Sequence, residues 1–384
     1  MKNRTKRMMC AITIAAMTIG SLAACSKSDS NAAATTTAPA ATETTASTPA
    51  AETSVLTSGD IITRAAKSGQ VGNWGLGNEY EVLALLAKYG LPSEYLSQDF
   101  TMDGFDDNSI LLASAMTYNE LGLVKNSYDG GYKYGDSVNI IDMNDEGVAM
   151  MEDNIFCTKT FAKANPETVA AFLYASLKGW EYAVANPEEA AKICYEYGSS
   201  VSPEHQEYMA KEVAKLVSTN TKGEKVTEVG LMDDAAMQQT LDIAKQYVTL
   251  ADASANAAFQ AMTLDDIRDA SFYTKAKASD GKFAVEKPEV SIQLKWLPDA
   301  QFAGYYCALK LGYYTEAGFT DVKIVSGGGD IAETTAVNNG TVDFGVTWET
   351  NLASADASGM DLVEIAQIFQ RSGLVLVYKP ENFK

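Results

Sequence analysis

Histidine occurs once in these 384 residues and cysteine five times, and basic side chains are outnumbered 30 to 50 by acidic ones, for a net charge of −20. The shortage of positive charge excludes a nucleic-acid partner, because no basic patch rises above the background. An acidic surface mainly confers solubility. The cysteines are too few and too widely spaced for a disulfide framework or a metal site. Cys10 and Cys25 fall in the first 25 residues, whereas Cys157, Cys194 and Cys307 lie in apolar surroundings, where buried thiols are the usual outcome. His205, the one histidine, stands in a polar helical stretch and reads as a solvated surface residue. The rest is ordinary for a globular chain: 46% hydrophobic residues and enough length for two domains.

The amino terminus reads as a targeting segment. Lys2, Arg4, Lys6 and Arg7 form a positive region, an apolar run extends from Met8 to Leu22, and Leu22-Ala23-Ala24-Cys25 follows. The run is short for a spanning helix. Small residues before a cysteine resemble a bacterial lipoprotein signal, which implies cleavage before Cys25, lipid on its sulfur and an extracytoplasmic membrane anchor. Residues 26–53 are Ala, Thr, Ser and Pro with almost no large apolar side chains, the composition of a disordered tether.

Beyond the tether, a short helix, a brief strand at 70–74 and a glycine-flanked turn lead to a helix that Asn78 and Glu81 are spaced to cap. Strands are expected at 137–143 and 148–156, and helical patterns from Asn165 to about residue 273, with Trp180 in the core. Residues 274–288 are polar and lysine-rich, a linker. From Val290 the chain alternates in period two through Ile292, Leu294 and Trp296 and then breaks at Pro298. A helix with Asp299 as its cap and Gly312 as its stop follows. Further strands are expected at 321–325, 341–346, 361–368 and 374–378, separated by helices, one of them capped by Asp330 with Glu333. Strands alternating with helices imply an α/β fold with mainly parallel sheets.

Several strings resemble the NMT1/THI5-like family. Trp296-Leu297-Pro298-Asp299-Ala300-Gln301-Phe302-Ala303-Gly304-Tyr305-Tyr306 is the longest, followed by Gly312-Tyr313-Tyr314. Gly340-Thr341-Val342-Asp343-Phe344-Gly345, Gln367 to Ser372, Gly77 to Glu81, Tyr118-Asn119-Glu120 and Lys178-Gly179-Trp180 complete the set. The resemblance implies a type II periplasmic-binding-protein fold, two α/β lobes closing on a ligand. It further implies a solute-binding lipoprotein of an ABC importer for thiamine pyrimidine precursors, acting as a monomer with permease and ATPase partners and without a cofactor. The order departs from the family's, in which the Trp296 strand opens the domain. The chain is expected to be a circular permutant, with residues 54–155 as lobe 2, 156–273 as a helical return, 274–288 as a linker at the old termini and 289–384 as the lobe 1 core.

A methylated aminopyrimidine requires aromatic faces and a few polar groups in a mostly apolar cleft. The aromatic candidates are Trp74, Tyr118, Trp296, Trp348 and Phe369, each following or ending an expected strand. Glu120 is the first choice of carboxylate and Glu349 the second, with Asn78 and Gln301 as additional donors. Gly327 to Gly329 either offer backbone N–H groups or form a plain β–α turn. Eukaryotic members of the family are pyrimidine synthases, with a lysine holding pyridoxal phosphate and a nearby histidine just after the Asp-Phe-Gly-like strand. Here that stretch is Val346-Thr347-Trp348-Glu349-Thr350-Asn351, with neither residue, so a binding protein and not an enzyme is expected. A binding protein for another flat heterocycle, such as a flavin precursor, suits the same pocket chemistry.

Overall fold

The computed structural model describes residues 56–384. The expected signal segment, the lipidation site Cys25 and the tether lie outside the described residues. Ten strands form two five-stranded sheets. In chain order they are β1 (Val71–Asn73), β2 (Leu96–Ser97), β3 (Leu112–Met116), β4 (Asn139–Asp142), β5 (Asn154–Thr158), β6 (Glu289–Gln293), β7 (Asp321–Val325), β8 (Phe344–Thr347), β9 (Leu362–Gln367) and β10 (Leu374–Tyr378). One sheet runs β2-β1-β3-β10-β4 and the other β7-β6-β8-β5-β9. In each, one strand is antiparallel to its neighbours: β10 against β3 and β4, and β5 against β8 and β9. Two sheets of identical order, each completed by a strand that crosses over from the other lobe, make the type II periplasmic-binding-protein fold.

The crossings correct the expected lobe limits. Residues 143–153 carry the chain from β4 to β5, and 368–373 carry it from β9 to β10, so β5 belongs to lobe 1 and β10 to lobe 2. The range 289–384 is therefore not one lobe. The expected strand at 148–156 begins only at Asn154 because the preceding residues span the gap between sheets. Counted from β6, both lobes obey one rule: four strands (β6 to β9, then β1 to β4) followed by one that crosses.

The β6 alternation holds in part: Val290, Ile292 and Leu294 are buried, but so is Gln293 of the opposite face, and Trp296 is only partly buried. The helix after it, Ala303–Lys310, ends before Gly312, whose φ of +79° is cheap only without a Cβ. It crosses the twenty-residue helix Pro166–Ala185 at very short range. A Cβ on Gly179 would stand 2.0 Å from the Gly304 carbonyl, and one on Gly304 would stand 2.1 Å from the Trp180 indole. Trp180 is buried there, edge-on to Tyr305 at 5.5 Å. Phe172 of the same long helix stacks on Phe344 of β8 at 4.0 Å and joins the helical layer to the sheet.

Four other expectations fail for physical reasons. The expected linker starts late, because helix Ala270–Ala278 continues into it. The remaining loop is structural: the Glu286 carboxylate accepts the Glu167 and Thr168 amides and so caps a helix whose own N-cap side chain makes no such bond. Asn78 and Glu81 form no capping box. Glu81 instead turns into the interior and accepts the Met150 amide at 2.8 Å. Asp330 caps nothing, since its helix begins at Glu333 after Ala332. His205 is fully buried, with Nδ1 3.0 Å from Asp129 Oδ2 and its ring stacked on Tyr128 at 4.8 Å. Cys157, Cys194 and Cys307 are free and buried, as their surroundings suggest.

Candidate functional site

The carboxyl ends of four parallel strands face one gap between the lobes, and an aromatic residue follows each. Trp74 comes after β1, Tyr118 after β3, Trp296 after β6 and Trp348 after β8. All four line a cavity of about 420 Å3, within the range that takes small ligands. Its walls come from both lobes: Phe100, Asn119 and Glu120 on one side, and Lys295, Gln301, Glu333 and Asn351 on the other.

Glu120 is buried at the first turn of helix Glu120–Lys125. One carboxyl oxygen accepts the Met116 amide and the other the Asn119 side-chain amide, both at 2.9 Å. Burial pushes its pKa up, against those bonds. Opposite it, Lys295 Nζ lies 3.2 Å from Glu333 Oε1 and 4.5 Å from the Trp348 ring centre. Thr347 Oγ1 donates to the same Glu333 oxygen at 2.5 Å. The lip of lobe 2 is a tight loop in which Gly75, Leu76 and Gly77 all have positive φ. Its amides are used within the loop: Gly75 donates to Asn73 Oδ1 and Gly77 to Glu79 Oε2, each at 2.7 Å. Gly77 therefore serves close approach to the other lobe, since a Cβ on it would stand 2.5 Å from Asn351 Oδ1, whereas Gly75 meets nothing and answers to its positive φ alone. Gly328 and Gly329 border the cavity, while the Gly327 amide is spent on the Trp296 carbonyl.

Six of the nine expected ligand-site residues meet in this cavity: Trp74, Tyr118, Glu120, Trp296, Gln301 and Trp348. Three stand apart from its lining. Glu349 follows Trp348 at a strand-to-helix turn and points the other way, into the interior beside Glu364, where neither of its oxygens finds a partner. Phe369 lies behind Tyr118, edge-on at 5.8 Å, in the second interlobe connection. Asn78 is buried with Nδ2 3.8 Å from the Met116 sulfur. Sequence reasoning overlooked Lys295, which alternation places opposite Trp296, and Glu333, which it assigned to a helix cap. It also missed Asp153, although Glu152-Asp153 inside the apolar stretch 148–156 was a visible signal.

A family model described as NMT1/THI5 like matches residues 63–190 and 299–383, more than half of the chain. The chain belongs to the NMT1/THI5-like family. No curated protein matches the sequence. Among solved structures, the chain is similar to the crystal structure of a proposed peptide binding protein AppA from Clostridium difficile. Identity is 11% and the TM-score 0.29, over 72% of this chain and 53% of that one, so this chain spans about half of that protein's length. The residues after β8 do not fit the pyridoxal phosphate site of the family's synthases. Trp348 Nε1 is bonded to Asp153, Asn351 reaches the Leu76 carbonyl, and the one histidine is sealed against Asp129. Among the described residues no group of three or more His, Cys, Asp or Glu side chains is placed to hold a metal. No described helix is long and apolar enough to cross a membrane.

Proposed function

We propose that this member of the NMT1/THI5-like family is the solute-binding lipoprotein of an ABC importer. It is held at the extracytoplasmic face through lipid on Cys25 and works as a monomer with a permease and an ATPase. Its solute is a thiamine-precursor pyrimidine of the aminomethyl or hydroxymethyl type, captured between the lobes and handed on unchanged. The observation that carries this reading is the meeting of three indoles and a phenol from opposite lobes around one cavity that also holds Glu120 and Glu333. Flat aromatic faces suit a flat ring, and the carboxylates suit an amino group or a protonated ring nitrogen. Binding would favour the closed state, because the ligand touches both lobes. We further infer that the family's two sequence blocks are exchanged in this chain, which the common strand rule counted from β6 supports.

The test is a thermal-shift screen of residues 56–384 against thiamine, its pyrimidine precursors and riboflavin. A ligand at a hundred times its Kd adds about 2.7 kcal/mol to the folded state, so a shift with a pyrimidine precursor is expected. A shift with riboflavin alone assigns the site to a larger flat heterocycle. No shift with any of them, from protein that melts cooperatively, refutes the reading. An absorbance band from bound pyridoxal phosphate would move the protein to the enzyme class.

A further inference from the structure

Asp153 is not among the cavity-lining residues, yet two cavity side chains are fixed by it. It lies in the first interlobe connection with φ at +33°, a region a non-glycine residue occupies only when its surroundings over-determine it. Here they do. Its carbonyl accepts the Ile368 and Phe369 amides of the second connection at 3.1 and 3.4 Å. Its buried carboxylate accepts Trp348 Nε1 on one oxygen and Gln301 Nε2 on the other, both at 2.9 Å.

An ionised carboxylate only accepts, so both partners must present donors to it. For Trp348 this uses the one N–H the indole has. For Gln301 the consequence is larger, because a glutamine amide can show either its oxygen or its nitrogen to a neighbour. One of the two N–H groups on that nitrogen is held by Asp153, which fixes the orientation of the amide, and its oxygen, to which nothing donates among the described residues, is left for the cavity that Gln301 lines. Asn119 follows the same logic across the cleft, its nitrogen held by Glu120.

We propose that Asp153 is a specificity-determining positioning residue: it locks the Gln301 amide with its oxygen toward the cavity, so that the cleft favours a ring that donates a hydrogen bond there over one that accepts. This rests on the solute-binding reading above. It turns Gln301 from an expected donor into an acceptor.

The probes are 4-amino-5-hydroxymethyl-2-methylpyrimidine and its 4-oxo analogue, titrated calorimetrically into the wild-type protein and into Asp153→Asn. An asparagine at 153 can accept from Trp348 and donate to Gln301, which turns the Gln301 amide round. The expected result is a wild-type preference for the amino ring that shrinks at least tenfold in Asp153→Asn and also in Gln301→Leu. Equal loss of affinity for both rings, with the preference intact, would overturn the proposal and leave Asp153 a purely structural role. If neither ring binds the wild type, the solute reading fails but the positioning is decided without ligand. In 15N spectra the Trp348 indole N–H and the Gln301 amide, identified by their loss in Trp348→Phe and Gln301→Leu, should titrate together with pH. Resonances that do not titrate together would overturn it. Should Asp153→Asn fail to fold, the wild-type titration and the Gln301→Leu preference decide.

Discussion

Phe100 and Trp296 meet across the cleft, one from each lobe, with ring centroids 5.2 Å apart and planes inclined by 56°. Phe100 is half exposed, so it adds little to either lobe alone and much of its contact to the closed arrangement. An aromatic pair contributes about 0.5–1.5 kcal/mol beyond its buried area. Phe100→Ala is therefore expected to weaken ligand binding by about that amount, two- to tenfold, while the melting temperature of the unliganded protein barely moves. Calorimetry and a thermal melt on the same preparation separate the two effects.

Glu120 offers a second test. Its oxygens hold the Met116 amide and the Asn119 side chain. Glu120→Gln keeps one acceptor but sets an NH2 group where the carboxylate took a proton donor. If the ligand's amino group bonds to this carboxylate, the substitution costs about 1.5–3 kcal/mol of binding, the value of a charged hydrogen bond. An unchanged Kd would remove Glu120 from the ligand's partners.

The contrast between residues that were legible and those that were not has a physical basis. Trp74, Tyr118, Trp296 and Trp348 were readable because a residue just past a parallel strand lies where α/β ligands bind, and that position is local in sequence. Glu349 and Phe369 satisfied the same rule and failed, since adjacent side chains at a turn diverge and the rule does not say which one faces the gap. His205 was misread because its burial comes from Asp129 and Tyr128, more than 70 residues away, while its own neighbours are polar. Asp153 depends on the crossing of two connections, and no local pattern announces such a crossing.

The buried carboxyls predict the direction of the pH dependence. Burial pushes Asp153 up to about 6 and Asp299 up to about 7. It also raises Glu152 and Glu349, and the nearby charges of Glu81 and Glu364 push them further. The folded state thus binds more protons than the unfolded chain above about pH 4. Stability from these groups is present below their unfolded values and is lost as pH rises through the folded ones. His205 acts oppositely: burial lowers its pKa, so its contribution is lost on acidification below about 6.5. One histidine does not offset these four acids. The melting temperature should rise by about 5 °C from pH 8 to pH 5.5, and a fall over that interval would contradict this account.

Gly179 and Gly304 explain why glycine stands in the Lys178-Gly179-Trp180 and Ala303-Gly304-Tyr305 strings. Each added Cβ would strike a backbone carbonyl or a buried indole at about 2 Å. Overpacking of this kind costs about 1–3 kcal/mol or more, so Gly179→Ala and Gly304→Ala should each lower the denaturation midpoint. Gly329→Ala is the control. Its Cβ would meet the Trp296 ring at an ordinary 3.6 Å, so stability should hold and only binding should change.

The proposed exchange of the two blocks can be tested by reversing it. Arg64, in the first described helix, donates from Nη1 to the Phe383 carbonyl, and Phe383 is buried edge-on to Tyr378 at 5.5 Å. Phe383 is thereby held against the first described helix, Ser58–Lys67, so a short linker is expected to bridge residues 384 and 56. At the other junction, Glu286 caps the Pro166–Ala185 helix and must stay attached to β6. Opening the chain between Asp280 and Gly281 preserves that cap. A rearranged chain of residues 281–384 followed by 56–280 keeps every strand pairing described above, and permutation is tolerated where ends are near and cuts fall in exposed loops. It should melt cooperatively within about 5 °C of the original and bind the same ligand. A cut inside 284–287 should do worse by about 1 kcal/mol, the usual value of a lost cap. A rearranged chain that stays molten would show that the two blocks are not interchangeable in order.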